Sequence, residues 1–232
     1  MKILSGKSLL LIMSMLSGVV HAGVTVGGTR VIYDGGKRET TLSVRNGDKI
    51  PYLIQAWVDQ DGIDGDKKGG AKPPFVVTPP LFRLDPTAEN LMRIIRTGGN
   101  LPEDRESIFW MNVKSIPSAP DTAKNVLQIA VKTRIKLFYR PTDLKAPTDD
   151  TYKQLSFQRQ GQQLLITNPT PYYLSFNTLK VGNVEVDATR LMAPPKGTTT
   201  AKLPSGASSG SVSWSVINDF GGKSPTQTGS LH

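Results

Sequence analysis

The sequence predicts an all-β protein made of two small antiparallel sandwiches, and three observations support this prediction. Residues 23–232 contain many short runs of alternating or β-branched residues, separated by turns rich in Gly and Pro. No long stretch has the 3.6-residue period of an amphipathic helix. After Pro141 the composition turns polar, with three aspartates up to Thr151, as in a linker. We therefore expect two β domains of roughly 120 and 90 residues.

The first 22 residues have the pattern of a secretory signal peptide. Lys2 and Lys7 form the basic start, Leu9–Val20 is apolar but too short to span a bilayer, and Val20-His21-Ala22 fits a small-residue cleavage site. Cleavage is expected before Gly23, with an uncleaved anchor as the alternative. No later run reaches the roughly 20 apolar residues of a membrane helix, so we expect an exported chain without stable membrane insertion.

The strand patterns follow one another between turn signals. Pro79 and Pro80 interrupt one of them, and because proline cannot donate to a sheet ladder they mark an edge, a bulge or a switch between sheets. The sequence leaves the cis or trans state of Thr78-Pro79 open. The patterns before the linker are Val24–Val26 continuing through Arg30–Tyr33, then Thr40–Val44, Tyr52–Val58, Phe75–Phe82, Asn90–Arg96 and Ile108–Val113. Those after it are Gln154–Arg159, Gln163–Thr167, Tyr172–Thr178, Lys180–Val186 and Val212–Ile217.

The longest strand pattern is Val126–Arg140, which no Gly or Pro interrupts. Strands usually have about 5–6 residues, so this one is unusually long. Its alternate residues are apolar, starting with Leu127, Ile129 and Val131, and many of the intervening ones are cationic. Either the apolar stripe fills the core of its own sandwich, or part of it is offered to another molecule.

The composition argues against most catalytic and metal chemistry. The chain has no Cys and two His, of which His21 lies in the signal segment and His232 is the last residue. A thiol nucleophile, a Ser-His-Asp triad and a zinc site are therefore not expected. Gly206–Gly210 matches the G-x-S-x-G pattern, but that motif needs a His partner and a strand-to-helix turn. We predict no catalytic residue, metal or cofactor, and keep an esterase with Ser208 as nucleophile as an alternative.

The charged residues raise two further possibilities, nucleic-acid binding and a calcium loop, and their distribution along the sequence favours neither. The formal net charge is +9, but Lys and Arg are scattered rather than clustered, so nucleic acid is not a predicted partner. The acidic stretch Asp59–Lys72 fails the spacing of a calcium loop, because the fifth position from Asp59 is Ile63 and the twelfth is Gly70. We interpret it as an exposed connection.

Several motifs resemble those of one family. Lys132–Pro141 is similar to the signature strand of the periplasmic pilus chaperones, the PapD/FimC-like family of the chaperone–usher pathway. Further motifs resemble the same family in the same order: Pro51–Trp57, Val77–Pro80, Leu101–Ser107, Asn168–Tyr173 and Ile217–Gly222. Any one would be weak, but the series is hard to obtain by chance.

The resemblance implies two immunoglobulin-like β-sandwich domains at an angle, with a cleft between them. We expect an N-terminal domain at residues 23–143 and a C-terminal domain at residues 144–232. Family members act in the periplasm, lend a strand to a pilus subunit that lacks one, and deliver it to an outer-membrane usher. By this resemblance Leu127, Ile129 and Val131 would fill the groove of the subunit.

The resemblance also implies roles for five charged residues. Arg30 and Lys136 would hold the C-terminal carboxylate of the subunit, whereas without the family they would be ordinary surface cations. In an unbroken strand Lys136 lies on the face opposite the apolar stripe, so a bulge, a twist or the cleft geometry must reconcile the two roles. The residues expected to link the two domains are Glu106, Arg140 and Asp219.

A second class of function stays open, namely an exported sandwich protein that binds a ligand as an adhesin or a carbohydrate-binding module. Binding of a glycan would favour it, and capture of a pilus subunit would favour the chaperone. The sequence also leaves open the pilus system, the usher-binding residues and weak self-association through the edge strand, which Lys132 and Arg134 would oppose.

Overall fold

A computed structural model of the protein describes residues 23–60, 62, 72–119, 127–207 and 210–232. The predicted signal peptide, most of the acidic stretch and Ser208 lie outside these residues. The described residues are almost entirely β, with one short helix, α1 (Asp149–Tyr152). None of their helices has the length and apolarity needed to cross a membrane.

Two sheets pack face to face in the N-terminal sandwich. The first has the strand order β1 (Val24–Val26), β3 (Glu39–Asn46), β7 (Glu89–Arg96) and β5 (Phe75–Thr78). The second has the order β2 (Arg30–Asp34), β9 (Val131–Arg140), β8 (Ser107–Pro117), β4 (Tyr52–Asp59) and β6 (Leu81–Leu84). All neighbouring strands are antiparallel except β2 and β9, which run parallel.

Alternation along the strands builds the core of this sandwich. In β4, Ile54, Ala56 and Val58 point inward and are buried, while the residues between them are more exposed. Phe75 lies at the centre, with ring centroids 5.2 Å from Tyr33 and 4.8 Å from Phe109 in edge-on geometry. Such aromatic pairs stabilise beyond the apolar area they bury.

Two of the changes from one sheet to the other occur at a glycine and at a double proline. Between β1 and β2, Gly27 lies so close to Ser43 that an added Cβ would come 2.2 Å from its Oγ, so a larger residue at position 27 would require the Ser43 side chain to move. The double proline marks the second change, because β5 pairs with β7 whereas β6 pairs with β4. The Thr78-Pro79 peptide bond is cis.

The C-terminal sandwich also has two sheets. One contains β10 (Ser156–Gln160), β11 (Gln163–Asn168) and β15 (Gly197–Lys202). The other contains β13 (Val184–Glu185), β12 (Leu174–Val181), β16 (Ser211–Val216) and β17 (Gln227–Ser230), with β14 (Met192–Ala193) also paired to β12. Trp214 is buried between them, 4.6 Å from the ring of Phe157, and its indole N–H donates to the Tyr152 carbonyl at 3.1 Å.

The strand predicted at Val126–Arg140 is shorter than expected. It begins at Val131, and Leu127–Ala130 form no strand although they are described. The last pair in its ladder with β8 joins Val131 to Ser115, and β8 ends at Pro117, which has no N–H to continue the ladder. The register between β8 and β9 is also continuous, so the bulge considered above is absent from Val131–Arg140.

Candidate functional site

One edge of β9 is half open. β2 pairs with the second half of β9 only, from the Arg30–Lys136 pair to the Asp34–Arg140 pair. Val131 to Ile135 pair with β8 on one side, and no described strand pairs with them on the other. An unpaired strand edge presents backbone N–H and C=O groups to any strand that can add to it.

The apolar stripe changes role along this strand. Ile135, Leu137 and Tyr139 are buried in the core of the N-terminal sandwich. Leu127, Ile129 and Val131 are 84%, 66% and 56% exposed, so they do not fill that core. A contiguous group of exposed apolar side chains indicates a binding surface, whereas single exposed ones are common on any protein.

Two cations stand where β2 begins to cover β9. Arg30 and Lys136 are direct partners in the parallel ladder. The Arg30 guanidinium donates to the Ile217 carbonyl at 2.9 Å and lies 5.7 Å from the ring centre of Phe138, while its buried Nε has no hydrogen-bond partner among the described residues. The Lys136 ammonium donates to Ser175 Oγ at 2.9 Å. Neither cation belongs to any ion pair that the structure describes.

Burial makes this pair of charges unfavourable in the free protein. Partial burial and, second, the charge of Arg30 lower the pKa of Lys136 to about 8. Burial also lowers the pKa of Arg30, against the opposing effect of more distant carboxylates. A bound anion would offset both effects, because an opposite charge stabilises the protonated forms.

Lys136 also lines a cleft between the two sandwiches. The cleft has a volume of about 550 Å³; β8 contributes Trp110 and the C-terminal sandwich contributes Arg190, Met192 and Thr200. Lys136 lies on the face of β9 that points toward this cleft, opposite the face that carries Ile135 and Leu137 into the core. The cleft geometry, rather than a bulge, accounts for the two orientations.

A second charge cluster joins the two sandwiches. Arg140 donates from Nε to Glu106 at 2.9 Å and from both terminal nitrogens to Asp219, at 2.7 and 2.9 Å. The other oxygen of Glu106 accepts the backbone N–H of Tyr173 at 2.8 Å. The structure thus brings together Glu106 and Arg140 from the N-terminal sandwich and Asp219 from the C-terminal sandwich.

Burial governs the ionisation of this cluster. Glu106 and Arg140 are 3% and 8% exposed. Burial raises the pKa of Glu106, and the charge of Arg140 opposes that effect. Burial acts to lower the pKa of Arg140, but the hydrogen bonds and charges of Asp219 and Glu106 outweigh it, so that the pKa is raised. Arg140 therefore stays charged between two carboxylates.

Neutral and exposed contacts complete the domain junction. The Glu106 N–H donates to the Pro171 carbonyl at 2.9 Å. The loop that carries Pro171 is held by buried Asn168, whose amide donates to the carbonyls of Tyr172 at 2.8 Å and Pro194 at 2.9 Å. On the surface, Lys196 lies 2.6 Å from Asp104.

Sequence reasoning missed a third cluster, around Arg134. Its guanidinium contacts both oxygens of Asp59, at 2.8 and 2.6 Å, and the side-chain oxygen of Asn112 at 2.7 Å. It also lies 5.1 Å from the ring centre of Trp110 and donates to the Gly62 carbonyl. Asp59 therefore pairs with an arginine rather than serving the calcium loop considered above. Alternation shows that Arg134 shares a face with Lys136, but no pattern pairs it with a residue 75 positions away.

Comparison with known proteins identifies the family. Residues 23–145 match the model of the pili and flagellar-assembly chaperone PapD N-terminal domain, and residues 150–228 match the pili assembly chaperone PapD C-terminal domain. The chain is 47% identical to the probable fimbrial chaperone LpfB of Escherichia coli O157:H7 over 92% of this chain and 89% of the relative. It is 44% identical to the chaperone protein FimC of Escherichia coli K12 over 93% and 87% of the two chains.

Solved structures agree with this assignment. The E. coli chaperone DraB superposes with a TM-score of 0.79 at 40% identity, covering 90% of this chain and 97% of DraB. A chain in the complex of Salmonella enterica SafA pilin with the SafB chaperone superposes with a TM-score of 0.80 at 35% identity, covering 90% and 96%. These neighbours confirm the prediction of two immunoglobulin-like sandwiches, and the matched family is one of assembly chaperones rather than enzymes. This chain belongs to the family of PapD-like pili assembly chaperones.

Proposed function

We propose that this protein is a periplasmic chaperone that lends its β9 edge to a pilus subunit, prevents its aggregation and delivers it to an outer-membrane usher. One observation carries the proposal. The exposed stripe is followed along the chain by the open half of β9, and that open half ends at Lys136 and its ladder partner Arg30. Both are cations without a described ion-pair partner. LpfB and FimC are named as fimbrial chaperones, and SafB was solved with a pilin.

The position of β2 limits where a strand added to the open edge of β9 can end. β2 is parallel to β9 and begins at Arg30. A strand added to the open edge in line with β2 ends where β2 begins, provided it also runs parallel to β9. Its terminal carboxylate then meets Arg30 and Lys136, whereas an antiparallel strand would bring a cationic N-terminus to the same place. Charge therefore selects the parallel orientation.

The exposed stripe supplies the apolar part of the binding energy. A sandwich that lacks one strand has an open groove and an unpaired edge, both of which promote aggregation. Leu127, Ile129 and Val131 would fill this groove, and each buried side chain would contribute about 1.5–3 kcal/mol before ordering costs are subtracted. The segment 127–130 would become a strand only when the subunit offers the partner that β8 does not.

A ligand-binding sandwich protein, such as an adhesin or carbohydrate-binding module, is the competing function. Such a role does not explain an open strand edge that ends at two partly buried cations. We propose neither a catalytic residue nor a nucleotide or other cofactor for the chaperone, because folding of the subunit and strand pairing would supply the energy.

The function is tested by co-purification from periplasmic extract of the source bacterium. We expect the wild-type protein to form a one-to-one complex with a pilus subunit, identified by mass spectrometry. A glycan array run on the same preparation tests the competing function. Failure to retain any pilus subunit, together with glycan binding, would replace the chaperone by the binding module.

The apolar stripe gives a sharper prediction. Leu127→Glu and Ile129→Glu should each weaken capture by about tenfold or more, because a carboxylate would enter the apolar groove of the subunit. Both side chains are exposed in the free protein, so its midpoint of urea unfolding should not change. Ala130→Glu is the matched control, since it adds the same charge at an exposed neighbouring position outside the stripe. Equal loss of capture in the control would show that charge, not groove filling, is responsible.

A further inference from the structure

Four cations lie on the cleft-facing side of β9, at Lys132, Arg134, Lys136 and Arg140. Arg140 is held between Glu106 and Asp219, and Arg134 is held by Asp59. Neither Lys132 nor Lys136 has a carboxylate among the ion pairs that the structure describes, but Lys132 is exposed, whereas Lys136 is partly buried beside Arg30. Arg30 and Lys136 form the proposed carboxylate anchor. On β9, Lys136 thus lies between two arginines whose charges are each balanced by a carboxylate.

We propose that Asp59 fixes the register of the bound subunit by withholding Arg134 from the subunit's terminal carboxylate. Asp59 is a positioning residue in this role, because it acts through Arg134 and does not contact the subunit. The inference rests on the proposed function and deepens it, since it concerns which of two neighbouring cations receives the carboxylate.

The donors of Arg134 are all occupied. Nε donates to Gly62, one terminal nitrogen donates to Asp59 and Asn112, and the other donates to Asp59 and Gly62. These contacts use the five N–H groups that a guanidinium possesses. Arg30, by contrast, has a buried Nε without a described partner, and the Lys136 ammonium makes one described hydrogen bond out of the three it can donate.

The pairing of Arg134 with Asp59 matters because the alternation of side chains alone does not prevent the subunit strand from binding two residues out of register on β9. A slip of one residue turns every side chain to the wrong face and is strongly disfavoured. A slip of two residues, about 7 Å along the strand, keeps the apolar residues on the correct face. Arg134 lies at that offset from Lys136, so a free Arg134 would give the slipped strand its own carboxylate anchor. Lys132, two residues further on, is exposed, so solvent screens its charge.

The register can be measured by cross-linking, because the chain contains no cysteine. Ala130→Cys places a thiol beside the open edge of β9, at an exposed residue outside the apolar stripe. In the subunit that co-purifies with the wild-type protein, a cysteine is introduced either opposite residue 130, in the register that puts the carboxylate at Lys136, or two residues nearer the C-terminus. A cross-link to the first of these cysteines shows that the carboxylate lies at Lys136, and a cross-link to the second shows that it lies at Arg134.

We expect the wild-type background to give the first cross-link, and Asp59→Asn to raise the ratio of second to first by about tenfold or more. Asp59→Asn/Arg134→Gln should restore the wild-type ratio, because the competing cation is gone. Asp85→Asn is the matched control, since Asp85 forms an exposed pair with Arg83 away from the cleft. An unchanged ratio in Asp59→Asn, or a slipped register in the double variant, would overturn the proposal.

A second measurement needs no substitution of Asp59. When the last two residues of the subunit are removed, its shortened strand should advance by two residues so that its carboxylate still reaches Lys136. In the wild-type background, the cross-link should then form with a cysteine that lies two residues nearer the N-terminus of the subunit strand than the first position. A cross-link that stays in place would put the carboxylate at Arg134 and overturn the proposal. Failure of the proposed function itself is distinct, because wild type would then capture no subunit at all.

Discussion

Replacing Lys136 with methionine is expected to abolish subunit capture while making the free protein more stable. The methionine removes the ammonium that would bind the subunit carboxylate but preserves the length and apolar stem of the side chain. It also removes a partly buried charge that the free protein holds beside Arg30 without a described ion-pair partner. Co-purification and urea unfolding at pH 7 measure the two effects.

The stabilisation should depend on pH in a defined direction. The folded-state pKa of Lys136 is about 8, below its ordinary value of 10.5. Below about pH 8 the lysine is protonated in both states, and the folded state bears the full cost of the buried charge. As pH rises from there toward 10.5, the folded protein releases the proton first and the cost disappears. We expect Lys136→Met to gain about 1 kcal/mol at pH 7, after allowing for solvent screening and the lost hydrogen bond to Ser175, and little at pH 11.

The same ionisation predicts how capture varies with pH. Binding of a carboxylate favours the charged lysine, so capture by the wild-type protein should weaken as pH rises through about 8. Lys132→Met is the matched control, because Lys132 is an exposed lysine on the same face of β9. Destabilisation by Lys136→Met, or capture by it equal to that of the control, would contradict the anchor role.

The sequence was sufficient to predict the period of β9 but not the point at which its stripe leaves the core. Alternation placed Leu127, Ile129, Val131 and Ile135 on one side, and it cannot distinguish exposed from buried members of that side. The point at which the stripe leaves the core depends on where the neighbouring strands end, and therefore on pairing between distant segments. Pro117 was a visible signal for the end of β8, but only the register shows that it faces the segment before Val131.

The charged residues illustrate a similar limit. Arg30, Lys136, Glu106, Arg140 and Asp219 could be named only through the resemblance to a family, because charge and spacing do not distinguish them from surface residues. The Arg134–Asp59 pair was missed because it depends on tertiary contacts. The sequence patterns also missed three described strands: β14, which has only two residues, and β15 and β17, whose apolar content is too low to show alternation.

Removal of Arg140 is expected to have the largest effect on stability. Arg140→Ala would leave Glu106, which is 3% exposed, without its counter-charge. Breaking a buried ion pair from one side typically costs about 3–5 kcal/mol. Arg83→Ala is the matched control, since it breaks an exposed pair with Asp85 and should cost at most about 1 kcal/mol. Urea unfolding of both variants measures the difference.

The response to pH and a second substitution identify the cause. Burial already raises the pKa of Glu106, and loss of Arg140 removes the charge that opposes this effect, so the pKa should rise further. A carboxyl group whose folded-state pKa is raised binds its proton more readily in the folded state, so stability should recover as pH falls. Arg140→Ala/Glu106→Gln should recover part of the loss at pH 7. Equal destabilisation at pH 5 and pH 7 would instead indicate lost packing against the Tyr172 ring, which lies 5.4 Å from the guanidinium.

The same variant tests whether the domain junction serves subunit capture. Arg140 lies four residues after Lys136 on β9, and its partner Asp219 lies two residues after Ile217, whose carbonyl accepts from Arg30. The junction and the carboxylate-binding pair Arg30–Lys136 therefore share two segments, β9 and residues 217–219. Loss of Arg140 should loosen the contacts of Arg30 with Ile217 and of Lys136 with Ser175, and capture should weaken even under conditions where the variant remains folded. Normal capture by folded Arg140→Ala would show that the anchor is positioned by the N-terminal sandwich alone.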